Sequence, residues 1–469
     1  MAYLGSTPEY QIFTSGTDYF NGDGISVAFT LSRPVASVND IEVVISNVVQ
    51  QPSTAYTVSG TTITFTSAPP AGTSNVYARY MSTATQTITP SPGTVGTSQI
   101  SPSLTNVPFF GGSTIGAGNA TGMKNRLING GMVLDQRNAG ASVTPSNTNY
   151  TLDRWYCTLS QASKFSVQQN AGAVTPVGFP NYLGCTSLSA YALSSAEQFT
   201  VRQAIEGHNV ADLGWGTANA KTVTLSFLVR SSLTGTFGGA LKNSAADRSY
   251  PFSYTVSSAN TWEQKSITVV GDTTGTWQAT TSTGIMLVFS LGTGSTGSGT
   301  AGAWAAANYS SATGATSVVG TAGATFYVTG VQLEEGNAAT SFEFRPYGTE
   351  LSLAQRYYHK IAPNEVDSII AWSGRATSAT VSTFMSGTFP VPMRTSPSAL
   401  EQSGTASDYQ ITVPGVVTSA LNAVPTFVAG TNKNVYLVRG TVASGLTTGD
   451  PAWMKCATTN AFLAWSAEL

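Results

Sequence analysis

Thr222-Val223-Thr224-Leu225-Ser226-Phe227-Leu228-Val229 decides the fold of this chain. Val223, Leu225, Phe227 and Val229 occupy alternate positions, and a period of two puts them on one face of a β-strand. A helix would split the same four side chains between two sides of its axis. Outward from this stretch, strand-length runs recur at Ser266–Val270, Gly284–Leu291 and Thr325–Leu333, with turn residues clustered between them. That spacing predicts a β-sandwich over residues 123–347. Within it, Gly292–Gly302 reads as a Gly/Ser/Thr loop.

The flanks carry their own patterns. In residues 1–84, Asn21-Gly22-Asp23-Gly24 marks a turn, and Ile41, Val43 and Ile45 alternate. Tyr56 and Val58 face Ile63 and Phe65 across Ser59-Gly60, which predicts a hairpin. Val76 to Tyr80 is the last strand of this small β-domain. Residues 85–122 hold Pro90, Pro92, Pro102 and Pro108 and no charged residue. They are either a linker or a stem in which several chains wrap together. Residues 348–361 carry the helical signal, with Pro346 before them and Leu351, Ala354 and Tyr358 at i, i+3 and i+7. This predicts a connector helix. Residues 362–469 return to alternation at Phe384, Phe389, Val391, Ile411 and Val413, with late strands at Tyr436–Val442 and Ala461–Ala467. The expected class is all-β.

Charged residues make up 9% of the chain, against about 25% in ordinary soluble proteins. Disorder is excluded, because 41% of the residues are hydrophobic and 10% aromatic. A net charge of -2 gives no support to a nucleic-acid partner. There is no polybasic segment for anionic lipids and no apolar run of about 18 residues, so no membrane insertion is expected. Met1 to Glu9 lacks the pattern of a signal peptide. Cys157, Cys185 and Cys456 form no disulfide framework. Buried free thiols are expected, with Cys157 and Cys185 the one pair able to bridge, which fits folding in a reducing cytoplasm.

Catalytic signals are mostly missing from the sequence. The 2 histidines, His208 and His359, are placed on a loop and on the exposed side of the connector helix. Neither has the neighbours of a catalytic triad. Zinc-ligand spacing is absent. Gly292-Thr-Gly294-Ser-Thr-Gly297 matches a nucleotide-loop pattern but lacks the following helix and acid. Glu334 and Glu335 diverge on a strand end. Asp135, Asp153, Asp272 and Glu343 would converge only through the fold, and Asp272 is a turn former. No catalytic residue, cofactor or metal is therefore assigned. For sugar binding, Trp304 and Tyr309 are the candidate exposed platform, since an aromatic ring offers an apolar face beside a polar handle. The competing expectation is that both pack on the sandwich or a neighbouring chain. Trp155, Trp215, Trp262 and Trp277 are expected in the core, and Arg154 and Arg345 as structural ion-pair donors.

Three stretches resemble bacteriophage tail-fibre and related prophage proteins. One is Phe20-Asn21-Gly22-Asp23-Gly24 with Phe29 to Pro34 and Val38 to Ile41, similar to the small N-terminal modules of tail fibres. Another is Lys124-Asn-Arg-Leu-Ile128-Asn129-Gly130, then Gln136-Arg137 and Leu152-Asp153-Arg154-Trp155-Tyr156. It resembles the opening of galactose-binding-like jelly-roll modules. The most specific is Gly330-Val-Gln-Leu-Glu-Glu-Gly336, Phe342-Glu-Phe-Arg345-Pro-Tyr347 and Gln355-Arg-Tyr-Tyr358, with the closing Ser466-Ala-Glu-Leu469. What the resemblance implies is a homotrimeric virion tail protein, made in the host bacterial cytoplasm, with a carbohydrate-binding-like jelly roll at 123–347. Residues 1–84 would attach to other tail or baseplate proteins, and the distal domain 362–469 would meet a host surface glycan or receptor. The alternatives are a structural tail adaptor and a polysaccharide depolymerase spike. Jelly rolls of this kind often hold a structural Ca²⁺ on acidic residues of the last strand; here Tyr327–Gln332 has no Asp, and calcium wants carboxylate oxygens.

Overall fold

Antiparallel strands make up nearly all the regular structure in the computed structural model, which describes residues 16–81 and 123–469. The chain divides into two compact units, 1–107 and 108–469. Met1 to Glu9 and the linker or stem at 85–122 lie outside the described residues.

In the first unit, Thr17–Gly22, Gly72–Tyr80, Ile41–Ile45 and Val48–Val49 form one sheet, and Ala28–Val35 pairs with Tyr56–Phe65 in another. Leu31, Val43, Tyr56, Ile63, Phe65 and Val76 fill the core. Asp23 fixes the Asn21–Gly24 turn by accepting the amides of Ile25 (2.8 Å) and Ser26 (2.6 Å). Gly22 is demanded by close approach, since a Cβ there would lie 2.2 Å from the Pro70 carbonyl oxygen. The hairpin expected at Ser59-Gly60 does not form. Tyr56–Phe65 is one strand, because Gly60 and Thr62 pair with the distant Val35 and Thr30 rather than with each other's flanks.

The second unit begins with two sheets packed face to face, as the alternation predicts. One has five strands in the order Glu263–Val269, Val223–Ser231, Thr325–Glu335, Leu183–Ser187, Phe165–Gln169. The other has six, in the order Ser249–Val256, Gly235–Lys242, Thr283–Thr293, Gln198–Glu206, Trp155–Leu159, Asn149–Leu152. Val223, Leu225, Phe227 and Val229 are all buried between them. Phe227 meets Tyr254 and Phe289 of the facing sheet edge-on, each at 5.0 Å. Each such side chain stabilises the sandwich by about 2 kcal/mol. Cys157 and Cys185 sit in this core as free thiols, and burial pushes Cys157 up to about 12, which suppresses thiolate chemistry. The Gly292–Gly302 stretch is more ordered than a plain loop. Ser298–Gly299 pairs with Ser311–Ala312, and this segment lies on the outer face of the six-stranded sheet, where Gly238 leaves room for Ser311.

Two of the quoted motifs close the sandwich on each other. Asn125 Nδ2 donates to the Val331 carbonyl at 2.9 Å, and Arg126 N to Leu333 O at 2.8 Å. A Cβ on Gly130 would strike Val331 O at 2.1 Å, so only glycine allows this approach. Arg345 donates to Leu127 O (3.1 Å) and to the Asn125 carbonyl, and pairs with Glu343 and Glu350. Arg345 is thus a structural donor, as expected.

The connector helix is shorter than the sequence predicts. It spans Tyr347–Gln355, and Tyr358–Ile361 is a strand. Pairing with the C-terminal Leu463–Ser466, with Tyr358 opposite Ser466 and His359 opposite Trp465, overrides the local helical periodicity. Beyond it, Ile369–Ala376, Val381–Thr388, Val435–Val442, Val417–Phe427, Tyr409–Val413 and Pro451–Cys456 close into a barrel. His359, expected exposed, is 8% exposed. It stacks on Trp465 at 6.3 Å and stands edge-on to Phe389 at 5.6 Å, and its Nδ1 has no hydrogen-bond partner.

Burial pushes His359 down to about 4, below the unfolded value of about 6.5. The stability gained by keeping it neutral is complete above pH 6.5 and is lost as pH falls towards 4. The difference is about 3 kcal/mol. His359→Phe should therefore flatten the loss of stability between pH 6.5 and 4, read by thermal denaturation across that range; an unchanged slope would contradict the assignment.

Candidate functional site

Residues from four separated motifs meet where the sandwich joins the barrel. Arg154, at φ +68° in the tight turn between two strands, buries its guanidinium completely. It forms an ion pair with Glu468, donates to Ala204 O at 2.5 Å and lies 3.6 Å above the Tyr357 ring. Arg137 reaches the same Glu468 at 3.3 Å. Tyr150 Oη donates to Leu469 O at 2.8 Å. Arg394 donates to the carbonyls of Ala467 (2.7 Å), Glu468 (2.5 Å) and Thr281 (2.8 Å). Beside them, Glu206 accepts two bonds from Arg356 (2.9 and 2.6 Å) and one from Tyr357 Oη (2.6 Å). Burial alone would raise the Glu206 carboxyl, but these bonds hold it below its ordinary value.

A cleft opens next to this joint. Arg137 lies 3.6 Å over the Tyr358 ring and 5.2 Å from that of Tyr150. Glu401 faces Arg137 at 3.8 Å and accepts from Tyr358 Oη at 3.1 Å. The cleft has a volume of about 400 Å³, and Asn138, Thr148, Asn149, Phe462 and Ser466 complete its wall. A second hollow of about 360 Å³ shares Tyr150, Glu401 and Ser466 and adds Thr395, Ser396 and Ser398. These volumes suit a small organic ligand. Hydroxyls, amides, one half-exposed carboxylate and aromatic rings together match a ligand rich in hydroxyl groups. Glu468 is covered by two guanidinium groups, and Glu401 faces one of them. The acids singled out in the sequence do not converge. Asp153 bonds Gln136, Asp272 pairs with Arg248, Glu343 with Arg345, and Asp135 caps Asn138 and Gly140. Burial pushes Asp153 up to about 6. Among the described residues, no group of three or more His, Cys, Asp or Glu is placed to hold a metal ion.

Trp304 and Tyr309, the sequence candidates, lie elsewhere. Both are half-buried. Trp304 stands edge-on to Trp215, Trp277 and Tyr250, each at 5.3 Å. Its Nε1–H is spent on Val270 O at 2.7 Å, as those of Trp215 and Trp277 are on Lys221 O and Thr274 O. The ring of Tyr309 lies against Gly299. The hollow beside the indoles, about 50 Å³, is too small for a sugar ring. Packing on the sandwich, the competing expectation, describes this cluster. Arg137, Tyr358 and Ser466 were visible only as parts of motifs or strands, and nothing in the sequence marked Tyr150 or Glu401.

No family model matches the chain, and no curated protein matches it significantly. Among solved structures it is similar to an enzymatically active domain of tailspike protein 4 from bacteriophage CBA120 (9% identity, TM-score 0.26). That match covers 45% of this chain and 22% of the tailspike domain, so the chain spans under a quarter of that protein's length. It is also similar to a family 4 carbohydrate-binding module (15% identity, TM-score 0.23, 44% of this chain and 98% of that one). A third is a putative sugar binding protein from Bacteroides thetaiotaomicron (10% identity, TM-score 0.28, 45% of this chain and 100% of that one).

Trp304→Ala should cost about 2–3 kcal/mol of stability, below the ~3–5 kcal/mol of a fully buried tryptophan because the ring is half-buried, as read by thermal denaturation. Unchanged stability would show that the indole does not pack on the sandwich.

Proposed function

We propose that this chain is a non-catalytic virion protein of tail-fibre type that binds a bacterial surface glycan in the cleft bounded by Tyr150, Glu401 and Ser466. The single observation that carries this is the cleft's composition. It offers hydroxyl, amide and aromatic groups in a volume that admits sugar units, on a chain poor in charge. The virion assignment is supported by the motifs at 124–156 and 330–358. Their residues build the joint that forms one side of the cleft. Binding without cleavage is supported by the scatter of Asp135, Asp153, Asp272 and Glu343 over separate partners, since glycoside hydrolysis needs two carboxyls flanking one bond. In this proposal the chain is a homotrimer, attached to the tail through residues 1–84.

The test is an array of bacterial surface polysaccharides probed with the full chain, Glu401→Ala and Asn149→Trp, the last filling the cleft with an indole. Binding by the wild type should fall by at least about tenfold in both variants, a loss of about 1.4 kcal/mol, with thermal stability nearly unchanged. Equal binding by all three would place the glycan elsewhere, and release of oligosaccharides would make the chain an enzyme. Mass photometry should show a trimer; a stable monomer contradicts that part of the proposal.

A further inference from the structure

On the outer face of the six-stranded sheet, two cations are buried together. Arg202 projects from Gln198–Glu206 beside Tyr156, and Lys242 ends Gly235–Lys242 opposite Met286. Their residues are 7% and 3% exposed. Neither forms an ion pair among the described residues, whereas the buried guanidinium of Arg154 pairs with Glu468 and that of Arg345 with Glu343 and Glu350. Their partners are neutral oxygens. Arg202 Nε donates to Thr200 Oγ1 (2.7 Å) and Nη2 to Gln198 Oε1 (2.8 Å). Lys242 Nζ donates to Asn308 Oδ1, and both cations reach Ser310 Oγ at 3.4 Å. Arg202 Nη1 contacts Met286 Sδ at 3.8 Å, a weak acceptor.

A charge buried without a counter-charge costs several kcal/mol, and two like charges around one hydroxyl cost more. Burial, and then Arg202, push Lys242 down to about 7. The groups that face these cations from the surrounding elements are Tyr156 and Cys157 on the neighbouring strand and no carboxylate. The covering segment 294–311 has no charged residue at all. Its backbone is pinned: Ser249 and Ala305 exchange backbone bonds (3.0 and 2.8 Å), and Tyr309 N donates to Ser249 Oγ at 3.1 Å. Asn308 itself is exposed. Its side chain is therefore the part of the cover over Lys242 Nζ that faces solvent.

We infer that Arg202, Lys242 and Ser310 form an oxyanion-binding site, closed by the Asn308 side chain, that takes the carboxylate of an acidic sugar or an inorganic oxyanion such as sulfate. The anion replaces Asn308 Oδ1 on Lys242 and supplies the missing counter-charge. This site is separate from the Tyr150–Glu401 cleft and stands or falls independently of it.

The experiment is isothermal titration of the full chain with sodium sulfate and, separately, with sodium glucuronate, at ionic strength held constant with sodium chloride. Wild type, Lys242→Met, which keeps the stem and removes the charge, and Asn308→Ala, which removes only the cover, are compared. Saturable binding of at least one anion is expected, weakened about tenfold or more in Lys242→Met, and kept or strengthened in Asn308→Ala. Because the bound anion holds Lys242 charged, binding should tighten as pH falls through 7 in wild type and lose that dependence in Lys242→Met. Glucuronate alone binding identifies the sugar carboxylate as the source, and both binding identifies a general oxyanion site. No saturable binding of either anion, or equal binding by wild type and folded Lys242→Met, overturns the inference.

Discussion

The ion pair between Arg154 and Glu468 is the constraint on which the larger unit depends. Its partners are more than three hundred positions apart in the chain, and both charges are withdrawn from water. A pair of this kind contributes little in net terms, because desolvation offsets attraction, yet removing one partner leaves the other stranded at a cost of about 3–5 kcal/mol. The pair therefore enforces an arrangement more than it adds stability. The last residues of the chain must lie against the turn at Asp153-Arg154. Once they do, Arg137, Tyr150, Arg394 and the Tyr357 ring have their partners too. The strand Leu463–Ser466 then draws Tyr358–Ile361 out of helical conformation.

The motifs that make this chain resemble tail proteins serve architecture more than contact with a ligand. Asn125 and Gly130 close against Val331, Arg345 bridges Glu343 and Glu350, and Arg154 holds the chain end. Such positions tolerate few substitutions, because each satisfies several buried groups at once. The cleft shares its wall with this rigid joint but takes its polar lining from ordinary surface residues such as Thr148, Asn149 and Glu401. A site built this way can change its lining while the joint stays fixed.

The strands were legible because alternation depends only on the two-residue repeat of an extended chain. Val223 to Val229 is buried on the face the sequence predicts. What failed was whatever distant segments decide. Gly60 was read as a turn, but its strand finds a partner near Val35. Tyr358 and His359 looked helical, but the C-terminal strand claims them. Trp304 looked exposed in a Gly/Ala-rich segment, yet it is half-buried and packs edge-on against two other indoles and Tyr250. The cleft was illegible for the same reason, since Arg137, Tyr150, Glu401 and Ser466 come from four elements. The buried pair Arg202 and Lys242 was hidden because each lies in a strand otherwise free of charge until its end.

The most direct measurement compares the full chain with Glu468→Ala, following thermal unfolding and surface-polysaccharide binding on the same samples. If the joint shapes the binding cleft, the variant should unfold several degrees lower and lose binding well below its new unfolding temperature. Full binding by a variant whose stability has fallen would show that the cleft beside Tyr150 and Glu401 is not where the glycan sits.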